Sequence, residues 1–158
     1  MTHGENYPAA GAYGAPTPVH PGDLLPRFFA RVIDGLIVEV LALFGAFSIA
    51  GSMSDIMVTG LFSGLGMFLY FVVFEVTVGA TPGKMLLGLS VRGPHGMPKP
   101  DVKQSAIRNS FTLLTIIPWI GWLLGFIAYI FIAVTVSSSP CKQGRHDELA
   151  GGTQVVKK

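Results

Sequence analysis

From Phe111 to Val136 the chain runs for 26 residues without one Asp, Glu, Lys, Arg or His. That exceeds the ~20 apolar residues that cross a bilayer as a helix. Two other stretches come close. Val32 to Gly51 is interrupted only by Asp34, Glu39 and Ser48, and Ile56 to Val78 only by Glu75 and a few small polar residues. Only 13% of the 158 residues are charged, against about 25% in a typical globular domain. A soluble chain this short has no core large enough to hide three such runs. The expected class is therefore an all-α integral membrane protein, with the lipid bilayer as its first partner.

Lys and Arg set the orientation. Arg27 and Arg31 precede the first run; Lys84, Arg92, Lys99, Lys103 and Arg108 follow the second; Lys142, Arg145, Lys157 and Lys158 follow the third. The 52–55 turn has none, so the amino terminus and the 79–108 loop are expected in the cytoplasm and the turn outside. Both flanks of the last run are basic, which a single crossing cannot satisfy. Pro118 disfavours helical geometry at Ile117 and removes a backbone donor. A hairpin near Pro118 would make two short segments of the run, with Trp119 and Trp122 at the far interface. The expected architecture is a bundle of about four membrane segments, the third and fourth short, with small cytoplasmic loop elements. Three segments with an outside carboxyl terminus is the alternative.

Residues 1–22 are rich in Pro, Gly, Ala and Tyr and offer almost nothing to bury, so a disordered cytoplasmic tail is expected ahead of a transmembrane domain spanning 23–158. The first 26 residues contain no Lys or Arg and no early apolar stretch, so no cleavable signal peptide is expected.

In the cytoplasmic loop, Thr81 suits an N-cap and Pro82 the first helical position. "GATPGKM" is one residue too short between its glycines for a phosphate loop, and Met85 stands where Ser or Thr is required. Gly83 and Lys84 are read instead as a tight turn leaving the membrane, with the lysine at the headgroups. "LSVRG" and "GTQVV" are strand-like and could pair if both lie on one side. Gly60 and Gly64, and Gly121 and Gly125, have the spacing of close helix packing.

The charges within the apolar runs are the candidate site. Arg27, Arg31 and Asp34 share one helix face, at i, i+4 and i+7. Glu39 lies a turn deeper and off that face. Glu75 lies near the same depth as Arg31 and Asp34 on the antiparallel neighbour. An Arg31–Asp34 pair, extended by Glu75, is expected as an ion-pair lock; a cation or proton site is the competing reading, and lipid headgroup binding a third. No hydrolase arrangement is present, the four histidines lack metal spacing, and Cys141 is alone. Neither an enzyme, nor a cofactor, nor a metal, nor nucleic acid as partner is expected.

Three motifs in order, "RFFARVIDGLIV", "TPGKMLLGLSV" and "RHDELAGGTQVV", resemble the RDD family over roughly Leu24 to Val156. The resemblance implies that Asp34 and Asp147 are the two family aspartates and that the family arginine is Arg27 or Arg31, with Arg27 favoured by its position. It further implies a bacterial plasma-membrane protein without established activity, some relatives being described as monovalent cation/proton antiporters. The leading expectation is a non-enzymatic module, self-associating or in a partner complex. An antiporter subunit moving monovalent cations on Asp34 with Glu39 or Glu75 is the alternative. Asp147 is expected to pair with the basic group that opens the first run.

Overall fold

The computed structural model describes residues 20–50 and 56–158, apart from the side chains of residues 46, 49, 50 and 56–59. The 52–55 turn and residues 1–19 of the expected tail lie outside the described residues. His20, Pro21 and Gly22, assigned to the tail by composition, are part of the fold, as described below.

Helix α1 (Leu24–Ala50) and helix α2 (Ile56–Thr77) are uninterrupted, as their runs predict. A short α3 (Pro82–Leu86) follows, then strand β1 (Leu89–Arg92). Helix α4 (Val102–Asn109) opens on a capping box: the Asp101 carboxylate accepts from Gln104 N at 2.7 Å, and the Gln104 side chain accepts from Asp101 N at 3.0 Å. The chain then winds as a 3₁₀ helix over Ser110–Ile116, reverses, and returns as α5 (Gly121–Ser138). Helix α6 (Arg145–Leu149) and strand β2 (Gln154–Lys157) close the order.

The reversal falls where Pro118 predicts it, with Trp119 in the left-handed region at φ 66°. Its arms differ from the two short helices expected. The second arm is an 18-residue α-helix. The first arm is α4 followed by seven residues of 3₁₀ helix, longer than most such runs. Its rise of ~2.0 Å per residue stretches this arm to about 26 Å, against about 27 Å for α5. Thr112 and Thr115 donate to the carbonyls three residues back, at 2.8 and 2.7 Å, which fits the tighter winding. Both glycine pairs face this segment. A Cβ on Gly64 would meet Thr115 Oγ1 at 2.7 Å, one on Gly121 would meet Thr115 O at 2.8 Å, and one on Gly125 would meet Thr115 Cγ2 at 2.8 Å. The 3₁₀ segment is thus clasped between α2 and α5.

The strand pairing expected from the sequence is present. β1 and β2 are antiparallel, with Val91 opposite Val155 and Ser90 opposite Val156. Pro21 bridges to Val156, Gly22 N donates to Val155 O, and Lys157 N donates to His20 O, so the segment before α1 borders the same sheet. The molecule is therefore mostly helical rather than wholly so. Leu89, Val91, Val155 and Ala30 form its compact apolar core at this end.

Elsewhere the usual partition is inverted. Among the described residues, buried positions hold polar and charged groups such as Asp34, Glu75, Lys84, Arg108 and Asp147 as often as apolar ones. The outside carries apolar stripes: Leu61, Leu65, Leu69 and Val73 on α2, and Phe28, Val32, Leu36 and Val40 on α1. Two helical windows, Gly60–Thr77 and Gly121–Ser138, are long and apolar enough to cross a membrane, and only 17% of each is buried. The core helix of a soluble protein would bury most of such a window.

Candidate functional site

Three fully buried carboxylates organise the polar end of the bundle, and each is held differently. Asp34, on α1, is held by neutral donors. Its Oδ1 accepts from Tyr70 Oη at 2.8 Å and from Gly83 N at 2.8 Å, and its Oδ2 accepts from Thr81 Oγ1 at 2.5 Å. This explains the Thr-Pro-Gly sequence physically. Thr81 occupies the N-cap position of α3, but its hydroxyl is given to Asp34, and the Asp34 carboxylate caps α3 from another helix. Pro82 needs no donor at its position. Gly83 has no room for a side chain, since a Cβ would press on the Ala30 carbonyl and lie 2.9 Å from the Asp34 carboxyl group.

Glu75, near the end of α2, is held by charge, by one hydroxyl and by one amide. Lys84 Nζ lies 2.5 Å from its Oε1, and Arg108 Nη1 lies 3.9 Å from the same oxygen. Its Oε2 accepts from Ser105 Oγ and from Asn109 Nδ2, both at 2.9 Å. Lys84 is therefore an interior group, 2% exposed, and not the headgroup contact expected of it. Glu75 is fully buried, and without Lys84 beside it its charge would lose its nearest partner. Burial pushes the Lys84 pKa down to about 8, against the pull of the Glu75 charge.

Asp147, on α6, is held by two guanidinium groups. Arg108 Nε lies 3.0 Å from Oδ1, and Arg27 Nη1 lies 3.7 Å from Oδ2. Thr153 Oγ1 donates to Oδ1 at 3.1 Å and Gly144 N to Oδ2 at 3.2 Å. Burial works to raise this carboxyl, but Arg108 and Arg27 hold it below the usual carboxylate range. His146 beside it is pushed down to about 3 by burial, so it stays neutral near pH 7. Arg27 also donates from Nε to Gly22 O at 3.0 Å and from Nη2 to Val155 O at 3.1 Å. One arginine thus ties the start of α1 to the segment before it, to β2 and to α6.

The expected Arg31–Asp34–Glu75 cluster is not formed as such. Arg31 donates to Asn109 Oδ1 at 3.0 Å, and its guanidinium lies 3.9 Å from the Phe71 ring centre, within cation–π range. It reaches Glu75 only through Asn109, and Asp34 stands apart with its neutral donors. Glu39 is half-buried and joins none of the three carboxylate centres. The pairing of Asp147 with Arg27 is present, but its nearer partner is Arg108, read from the sequence only as an orientation marker. A signal for it existed. Ser105, Arg108 and Asn109 stand at i, i+3 and i+4 on one face of a helix that leads into an uncharged run, as Arg27 and Arg31 do.

A family model for the RDD family matches residues 21–151. The chain belongs to the RDD family. Within this RDD domain, Asp34, Asp147 and Arg27 lie at one end of the bundle, on α1 and α6. Strand β2 falls beyond the matched span and still completes the sheet. No curated protein and no solved structure matches the chain.

Proposed function

We propose that this RDD domain is a non-enzymatic module of the bacterial plasma membrane, acting through its packing with copies of itself or with a partner complex. In this reading α1, α2, the α4–3₁₀ arm and α5 all lie in the membrane. At 27 residues and ~1.5 Å each, α1 spans about 40 Å, enough for the ~30 Å hydrocarbon core and a further turn or two among headgroups. Arg108 beside Asp147 brings both flanks of the last apolar run to one end, which supports an even number of crossings and a cytoplasmic polar end.

The observation that carries this reading is the occupancy of the three buried carboxylates. A carboxylate that binds a passing cation must offer free lone pairs. Asp34, Glu75 and Asp147 each have both oxygens engaged by fixed donors or cations. The network joins α1, α2, α3, α4 and α6, and so acts as a clamp. The alternative, a monovalent cation/proton antiporter, has no such observation in its favour. The test is cation-dependent proton flux in proteoliposomes with Na⁺, Li⁺ and K⁺. The clamp reading expects none from folded protein. Flux that disappears in a folded Asp34→Asn variant would replace it with the antiporter reading.

A further inference from the structure

Between α1 and α5 lies a cleft of about 420 Å³, within the ~300–1,000 Å³ range of small-molecule sites. The two helices barely touch, so the cleft separates them along much of their length. One end is cationic, formed by Arg27, Arg31, Lys84 and Arg108, with the neutral His146 beside them. The other end is apolar, with Gly35 and Met67 facing Phe126 and Ile130. No carboxylate among the described residues lines the cleft; Glu75 and Asp147 stand behind the cations. Its mouth is bordered by Phe28, Val32, Phe126 and Ile130, all exposed on the flank of the bundle.

Two further observations point to an occupant. Arg31 Nη1 and Arg108 Nη1 are buried nitrogens without a hydrogen-bond partner, and Arg108 is only 2% exposed. A buried guanidinium N–H left unpaired is costly. The buried charges of the polar end balance, Arg27, Lys84 and Arg108 against Asp34, Glu75 and Asp147; the half-buried Arg31 adds a fourth cation on the cleft wall, and an anion would neutralise it.

We propose that this cleft holds an anionic membrane lipid, its phosphate against Arg31 and Arg108 and an acyl chain along the apolar wall between α1 and α5. A guanidinium pair matches phosphate oxygens in geometry and charge. The exposed apolar rim selects an occupant that arrives sideways from the bilayer over one that arrives from water. The site rests on the membrane placement above and not on the absence of transport. Binding is therefore best measured in detergent solution, where a failure leaves that placement untouched.

The experiment uses the full chain purified in an uncharged detergent, read by native mass spectrometry and by thermal midpoint. Phosphatidylglycerol, phosphatidylcholine with the same chains, and inorganic phosphate are added separately. Phosphatidylglycerol is expected to stay bound and raise the midpoint, while the other two do neither. Arg31→Gln is expected to weaken retention about tenfold, the order of one lost charge-assisted hydrogen bond. Gly35→Leu fills the apolar end, where a Cβ has its nearest neighbour, Met67 Cε, at 3.8 Å, and it is expected to weaken retention as well. Equal effects of phosphatidylcholine would reduce the site to an apolar groove and overturn the proposal. Full protection by inorganic phosphate would make it a free-anion site. A dimer that fills the cleft and ignores added lipid would assign it to a second copy. Should Arg31→Gln not fold, unchanged retention in Gly35→Leu alone is enough to reject the lipid.

Discussion

Asp34 and Asp147 are equally buried and are held by opposite means. Asp34 rests among a tyrosine, a threonine and a backbone amide, all neutral. Asp147 rests between two guanidinium groups. Removing the charge of Asp34 leaves behind donors that water or a small shift can satisfy. Removing that of Asp147 strands Arg27 and Arg108 in the interior. The same residue type therefore serves as a helix cap in one place and as a counter-ion in the other, and the cost of losing each should differ.

That difference is measurable. Asp147→Ala is expected to cost about 3–5 kcal/mol, the usual penalty for breaking a buried ion pair from one side. Asp34→Asn, which keeps an acceptor oxygen, is expected to cost about 1–3 kcal/mol. Denaturation of both variants in the same detergent compares them directly. Equal losses would mean that the neutral and the charged settings are energetically alike. Gly83→Ala isolates the steric part of the Asp34 region, since it drives a methyl group against the Ala30 carbonyl and the Asp34 carboxyl group. Overpacking of that kind costs about 1–3 kcal/mol, and a neutral outcome would show that α3 can retreat from α1.

A smaller effect separates the regions by pH. His146 has a folded-state pKa of about 3 against an ordinary 6.5, so between those values the unfolded chain binds the additional proton. Stability must then rise with pH across that window and fall on acidification. Asp147, depressed below its ordinary value, adds to the loss once the pH drops below about 4. His146→Gln should flatten the slope from pH 6.5 toward 3, read as the thermal midpoint at successive pH values. An unchanged slope would place the acid sensitivity elsewhere.

Much of the frame was legible before the structure. The apolar runs predict α1, α2 and α5, Pro118 predicts the reversal, and two strand-like segments on one side predict the sheet. The partners of the buried charges were not legible, for a physical reason. Helical periodicity places Arg27, Arg31 and Asp34 on one face, but it does not say how α1 is rotated against α2, α3 and α4. Only that rotation decides that Asp34 meets Thr81 while Arg31 meets Phe71 and Asn109. Lys84 was misplaced because a lysine at a membrane boundary has water as an alternative, and only the position of Glu75 makes the interior better. The 3₁₀ winding of Ser110–Ile116 depends on glycines of two other helices and leaves no period of its own.

The central claim, that the buried charges form a clamp, is tested most directly on Glu75 and Lys84, 2.5 Å apart and both buried. The measurement is the unfolding free energy of Glu75→Gln, Lys84→Met and the double variant, closed as a mutant cycle. Each single change should cost about 3–5 kcal/mol, and the double should cost well under their sum, because it leaves no unpaired charge between these two positions. Single variants as stable as the wild type, with strictly additive effects, would contradict the clamp.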